Sequence, residues 1–150
     1  MESVVFEKYT GGQEPIMPLL LLGDESEAMV GRYLPRAEGV YVGRHDGSVV
    51  AVCVVTSEPD GWIEIKNLAV APSMRRRGIG RAMLAYVESR HHGHRFKLGT
   101  GATPSTLRFY RGCGYRYSHR VADFFTTNYD HPIVEEGVTL RDMLYLVKET

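Results

Sequence analysis

Asn67-Leu68-Ala69-Val70-Ala71-Pro72-Ser73-Met74-Arg75-Arg76-Arg77-Gly78-Ile79-Gly80-Arg81-Ala82-Met83-Leu84 is the stretch on which the fold turns. Its first residues close the run Trp62 to Val70, which has strand character and follows the turn residues Pro59-Asp60-Gly61. From about Gly78 to His91 the apolar residues Ile79, Ala82, Met83, Tyr86 and Val87 recur at helical spacing, with Gly93 just beyond the end. A strand thus passes through a short basic connection into a helix. The first amides of a helix lack intrahelical acceptors, and the aligned peptide dipoles add partial positive charge there. Gly78 and Gly80 leave that backbone open to an anion, with no Cβ in the way. Arg75, Arg76, Arg77 and Arg81 add guanidinium groups, which suit phosphate oxygens. The segment reads as a phosphate cradle built largely from backbone.

Two nucleotide motifs do not fit it. A Walker A loop needs Gly-Lys-Ser/Thr, and Gly80 is followed by Arg81-Ala82. The dinucleotide fingerprint needs a third glycine where Met83 stands. The remaining alternative on these residues alone is a solvated basic helix start after a glycine turn.

Outward from the cradle, strands dominate. VYVGRHDGSVVAVCVV reads as a β-hairpin turning at Asp46-Gly47. FKLGT is a short strand, and Pro104 to Arg111 a short helix started by Thr103 or Ser105. The tail carries strand-like runs near Tyr115–Phe125 and Thr139–Lys148. Asp24 to Leu34 is expected to be a helix with Asp24 as N-cap, ended by Pro35. Helices set between strands in this way argue an α+β fold with a mixed sheet. A chain of 150 residues without repeats or linker composition is expected to form a single domain.

Bulk properties exclude several classes. The formal net charge is zero, so no global field draws the chain to nucleic acid or an anionic membrane, and the arginine run lacks aromatic interleaving. The run Ile16 to Leu22 is interrupted by Pro18 and is too short to span a bilayer. Glu2 and Glu7 precede it, where a secretory signal would be basic. Cys53 and Cys113 make no disulfide framework and read as reduced packing residues, which fits a cytoplasmic protein. His91-His92-Gly93-His94 falls at a helix C-terminus with no acidic or cysteine ligand nearby in sequence, so no metal is expected.

The pattern Arg-x-x-Gly-x-Gly after a strand ending Leu-Ala-Val-x-Pro resembles motif A of the GNAT superfamily of acetyl-CoA-dependent N-acetyltransferases. A second landmark, an aromatic-rich helix running into Gly-Tyr, reads TLRFYRGCGYRY here. The tail DFFTTNYDHPIVEEGVTLRDM is similar to a bacterial subgroup of small GNAT proteins. The resemblance implies a mostly antiparallel, splayed sheet flanked by helices. It implies acetyl-CoA as cosubstrate, with pyrophosphate on the cradle Arg75–Arg81 and the pantetheine arm paired to Leu68, Ala69 and Val70. The amide of Val70 or a near neighbour would polarise the acetyl carbonyl, an oxyanion-type contact worth about 2.7–4 kcal/mol. Many members carry an asparagine before the second helix. Thr103 or Ser105 would supply that contact here.

Direct transfer to an amine is helped by a base, because most primary amines are protonated at neutral pH with a pKa near 10. Glu64, flanked by Trp62, Ile63 and Ile65, stands where family members that use a glutamate base carry it. Burial there would raise its pKa, and a water chain or a simple pair with Lys66 are the alternatives. Tyr110 stands where the family places a tyrosine near the thioester sulfur. Its pKa of about 10 against about 8.5 for a thiol makes full proton transfer uphill by roughly 2 kcal/mol, so hydrogen bonding to the thiolate is as reasonable as acid catalysis. The acceptor pocket of the resembled fold lies between the first helices and the last strands. Tyr33, Asp123, Phe124, Phe125, Tyr129, Glu135 and Glu136 are the candidates, acidic groups among aromatics suiting a cationic amine. The expected function is acetylation of a small-molecule amine. A protein amino group is the other enzymatic option, and a silent acetyl-CoA-binding or homodimer-forming module the non-enzymatic one.

Overall fold

A computed structural model describes residues 3–150; Met1 and Glu2 lie outside the described residues. The chain runs β1 (Val5–Lys8), α1 (Met17–Gly23), α2 (Glu27–Tyr33), β2 (Gly39–His45), β3 (Ser48–Glu58), β4 (Trp62–Val70) and α3 (Ile79–Arg90). It continues with β5 (Arg95–Thr100), α4 (Pro104–Gly112), β6 (Arg116–Val121), α5 (Phe124–Asn128), β7 (Val134–Glu135), β8 (Val138–Thr139) and β9 (Met143–Glu149). Seven strands form one sheet in the order β1-β2-β3-β4-β5-β9-β6, while β7 and β8 form a separate hairpin. Among the described residues only β4 and β5 pair in parallel, and α3 makes the crossover that a parallel pair requires. The mixed, mostly antiparallel sheet flanked by helices is the expected one.

Alternation along β3 divides the core. Ala51, Cys53 and Val55 face Ile79, Met83, Leu84 and Val87 of α3, while Val52 and Val54 face Leu19, Leu20, Val30 and Tyr33 of α1 and α2. Central strands buried on both faces read as continuous apolar runs, which is the character of residues 49–55. A third, smaller cluster of Phe125, Ile133 and Leu140 gathers Phe124, Tyr129 and Met143 against the start of β9.

The feature that positions the site is a bulge in β4. Val54 pairs with Asn67 and Val55 with Ile65, which leaves Lys66 as the extra residue. The bulge re-phases the strand, so Ile63 and Ile65 face α3 before it and Leu68 and Val70 after it. Glu64, Asn67 and Ala69 fall on the α1–α2 face. Pairing between β4 and β5 runs only from Trp62/Arg95 to Ile65/Leu98. Beyond the bulge β4 keeps β3 alone, and β5 keeps β9 alone through Thr100. The two central strands therefore diverge, and one edge of Lys66–Val70 stands unpaired.

Two expectations need correction. The helix expected over Asp24–Leu34 is shorter, Glu27–Tyr33, and a separate helix, α1, precedes it where the apolar run holds Pro18 in the first turn, a position at which its missing N–H costs nothing. The N-cap of α2 is Ser26, whose hydroxyl accepts from the Met29 amide at 3.2 Å, and Asp24 instead follows the end of α1. In the tail, the strand-like run near Tyr115–Phe125 stops at Val121. Asp123 takes a left-handed conformation (φ 56°), and Phe124 and Phe125 open a short helix.

Candidate active site

The cradle forms as its residues require. Gly78 caps α3 at φ 78°, a left-handed backbone that a side chain would strain. Gly80 has an ordinary conformation and is needed for space: a Cβ there would lie 3.2 Å from the Phe109 ring and 3.7 Å from Val70. Arg75, Arg76 and Arg81 line the cleft with Gly78, Ile79 and Gly80, whereas Arg77 is not on its wall. Arg75 folds back so that its Nε donates to the Val70 carbonyl at 3.2 Å. Arg108 of α4 joins this basic end, a residue that the sequence reading missed although it shares the exposed face of a short amphipathic helix.

The divergence of β4 and β5 opens a cleft of about 800 Å³ that continues from the cradle. The Ala71 amide donates to Val50 on β3 at 2.8 Å, so alternation turns the N–H groups of Val70 and Leu68 away from β3 and into the cleft. Leu68, Ala69 and Val70 all line it. Across from them α4 contributes Ser105, Thr106, Phe109 and Tyr110, and Cys113 follows at its end. The Tyr110 ring is wedged edge-on between Phe109 (5.0 Å) and Tyr115 (6.0 Å). Among the described residues its hydroxyl has no hydrogen-bond partner, which leaves it available to a ligand. Burial pushes this phenol well above the ordinary tyrosine value, with Cys53 and Cys113 adding to the shift. It is therefore a hydrogen-bond donor over the whole physiological range and a poorer acid than a free tyrosine.

Of the two hydroxyls offered in place of the family asparagine, Ser105 lies on the cleft wall and Thr103 does not. Thr103 is fully buried and bonds Thr106 at 2.8 Å. Ser105 donates to the Glu136 carboxylate.

Glu64 is 5% exposed, as expected, yet its surroundings are not simply apolar. Lys66 Nζ lies 2.8 Å from one carboxylate oxygen and Lys97 Nζ 3.9 Å from the other. Tyr145 donates a further hydrogen bond at 3.1 Å. Lys66 reaches the cleft wall; Glu64 itself is not on it.

At the other end of the cleft the expected acceptor residues separate into two groups. Phe125, Tyr129 and Glu135 line it, and Tyr33 is not on the wall but bonds the wall residue Asp24. Asp123 is turned away, paired with Arg141 at 2.5 Å, and Phe124 packs on Phe125 without reaching the cleft. What the sequence reading missed is Asp24. Its carboxylate lines the cleft, accepting from Tyr129 at 2.8 Å, from the Ser26 amide at 3.2 Å and from Tyr33 at 3.5 Å. Asn67 supports this group from below, donating to Tyr33 at 3.0 Å and to the Leu20 carbonyl at 2.8 Å. Burial pushes the Asp24 carboxyl upward, partly opposed by the Tyr129, Ser26 and Tyr33 hydrogen bonds. No local signal marks it, since Asp-x-Ser before a helix is ordinary capping sequence.

The histidines of the 91–94 tract are engaged locally. His91 Nε2 lies 2.7 Å from the Tyr41 hydroxyl, and His94 Nδ1 lies 3.1 Å from the His91 carbonyl. Among the described residues no group of three His, Cys, Asp or Glu is placed to hold a metal ion.

Comparison with known proteins decides the family. Residues 36–117 match the family described as Acetyltransferase (GNAT) domain, more than half of the chain. The chain belongs to the GNAT acetyltransferases. Over 150 residues it is 32% identical to the uncharacterized N-acetyltransferase YvbK of Bacillus subtilis, covering 97% of this chain and 96% of that protein. The IAA acetyltransferase from Bacillus cereus superposes with a TM-score of 0.91 at 34% identity, covering 99% and 100% of the two chains. A GNAT acetyltransferase from Elizabethkingia anophelis, solved with acetyl-CoA bound, gives 0.90 at 28% identity over 98% of both chains. A Bacillus subtilis acetyltransferase solved with CoA gives 0.87 at 27% identity over 99% of both. In GNAT terms the cradle, the splayed strands and the α4 tyrosine are one continuous cleft in this chain. No helix of the described residues is long and apolar enough to cross a membrane.

Proposed function

We propose that this GNAT protein transfers the acetyl group of acetyl-CoA to a primary amine of a small molecule by direct attack. The observation that carries the reading is a single cleft with an arginine-flanked helix start at one end, the inward-facing Leu68 and Val70 amides in the middle and the free Tyr110 hydroxyl opposite them. The residues suit acetyl-CoA. Its pyrophosphate would lie on the first amides of α3 with Arg75, Arg76 and Arg81, and its pantetheine amides along the unpaired edge of β4. Residues 1–150 act as one domain in this reading, and the buried or half-buried free cysteines fit the cytoplasm.

The amine nitrogen attacks the thioester carbonyl carbon, and negative charge develops on the carbonyl oxygen. A β4 amide, from Val70 or Leu68, is the donor for it. As the C–S bond breaks, the sulfur takes the electron pair and Tyr110 donates a hydrogen bond to the thiolate. The phenol's raised pKa makes this donation, rather than proton release, its role. Glu64 remains the assigned base. Because Lys66 separates it from the cleft, it would take the amine's proton through ordered water along the Lys66–Tyr145 side.

The test combines binding and turnover. Acetyl-CoA is expected to raise the melting temperature of the purified protein, while ATP and NAD do not. A panel of primary amines should then release free CoA thiol. Equal stabilisation by all three cofactors would overturn the assignment of the cradle, and thiol release independent of any added amine would overturn amine transfer.

A further inference from the structure

Several carboxylates withdrawn from solvent are matched with cations, and among the described residues the half-buried Asp24 on the cleft wall is not. Glu64 has Lys66 and Lys97, Glu58 has Arg36, and Glu88 has Lys148. Asp24 has none: its partners are two tyrosine hydroxyls and one amide, and its charged neighbour is Glu25. Burying a carboxylate without a counter-charge is costly, so a site of this kind favours a cationic ligand. A second unmatched acceptor lies behind the wall at this end. Asn67 Oδ1 is buried without a hydrogen-bond partner and faces Gly23, the cleft-wall residue next to Asp24. The surrounding wall is apolar and aromatic, formed by Leu22, Phe125, Tyr129, Ile133, Leu140 and Met143. Phe125 and Tyr129, stacked on each other at 5.7 Å, make this part of the wall aromatic, a surface that suits a cation. Glu135, with its carboxyl raised by burial and by Glu25 and Glu136, adds negative potential at the same end.

We infer that Asp24, held by Tyr129 and Tyr33, binds a second, non-reacting ammonium group of the acceptor, so that the preferred acceptors are short aliphatic diamines. This rests on the acetyl-transfer reading above and deepens it. The assignment to the non-reacting end follows from the chemistry. A carboxylate paired with the reacting ammonium would stabilise its protonated, unreactive form, whereas a pair with a distal ammonium binds the molecule without opposing deprotonation. The hydrogen bonds already made to Asp24 orient the carboxylate for recognition. The apolar wall accommodates the methylene chain between the two nitrogens.

The test uses 1,4-diaminobutane and 4-amino-1-butanol, which share one reacting end and differ in the other. The wild-type protein is expected to favour the diamine in kcat/KM. In Asp24→Asn that preference should fall at least about tenfold, through KM for the diamine. Tyr129→Phe, which removes one of the two donors to Asp24 Oδ1, should reduce it less. Calorimetric binding of 1,4-diaminobutane to the CoA complex gives a readout independent of turnover and should be weakened to the same extent by Asp24→Asn. Binding that depends on Asp24 without acetylation would sustain the site and overturn the acetyl-transfer reading. Acetylation with an unchanged preference in Asp24→Asn, or no diamine binding to the wild-type CoA complex, would overturn the inference.

Discussion

Two alanine substitutions two residues apart separate the two reasons for glycine in the cradle. Gly78 sits at φ 78° with open space around it, so Gly78→Ala meets no atom but strains the backbone. The left-handed conformation costs about 1–2 kcal/mol for a residue with a Cβ, offset by roughly 0.4–1 kcal/mol of unfolded-state entropy. A net loss of about 1 kcal/mol lowers the melting temperature by roughly 2–4 °C in a chain of this size. Gly80 lies within α3 at an ordinary φ, so Gly80→Ala gains up to about 1 kcal/mol of helix propensity. The new Cβ meets the Phe109 ring at 3.2 Å, but that ring is 36% exposed and can yield. Stability should therefore stay within about 0.5 kcal/mol of the parent. The methyl group, however, projects into the cleft between Val70 and Phe109. Losing one charge-assisted amide contact costs about 1.5–3 kcal/mol, or roughly 10- to 150-fold in Kd for CoA. Thermal unfolding of the apo proteins and calorimetric titration with CoA measure both effects. A Gly80→Ala protein that binds CoA like the parent would refute the placement of the ligand on this backbone. An unchanged melting temperature in Gly78→Ala would refute the strain argument.

Other outcomes follow from the same geometry. Tyr110→Phe should lower turnover about a hundredfold with little change in CoA affinity, because the lost donor acts on the departing thiolate; single-turnover kinetics with unchanged rates would remove that role. Glu64→Gln leaves Lys66 and Lys97 facing a neutral amide, and should destabilise the protein by about 1–3 kcal/mol by denaturant unfolding. If it loses stability yet keeps full turnover, its assignment as base fails. Asp24 binds its proton more tightly in the folded protein than in the unfolded chain, so the carboxylate's contribution is fully present below the ordinary aspartate pKa and lost as pH rises through its raised value. Asp24→Asn should therefore melt above the wild type near neutral pH, with the gap closing toward pH 3–4; a gap that is constant with pH contradicts the buried-charge account.

Local chemistry made the cradle legible. Gly78 and Gly80 answer to backbone conformation and close approach, and the order strand, basic turn, helix is written in periodicities that neighbouring residues set. The hairpin at Asp46-Gly47 and the start of α4 were readable for the same reason. The tail was less so, because Phe124 and Phe125 look alike in a strand or a short helix, and the left-handed turn at Asp123 that separates them depends on contacts with Arg141 and Asp142. Asp123 and Phe124 were consequently expected in the pocket they do not reach.

What only the tertiary structure decided is the company each polar group keeps. The bulge at Lys66 is a mismatch between two strands and belongs to neither alone; it splays β4 from β5 and turns the Leu68 and Val70 amides into the cleft. Lys66 pairs with Glu64, the alternative that the sequence offered, and Lys97 from the neighbouring strand adds a counter-charge that the sequence reading did not name. Asp24 and Tyr129 are far apart in the chain and 2.8 Å apart in space. The sequence determined the end of the cleft proposed for the donor, where the groups offered to a ligand are backbone amides at one helix start and on one strand. The acceptor end is assembled from side chains on separate elements, and only folding brings those together.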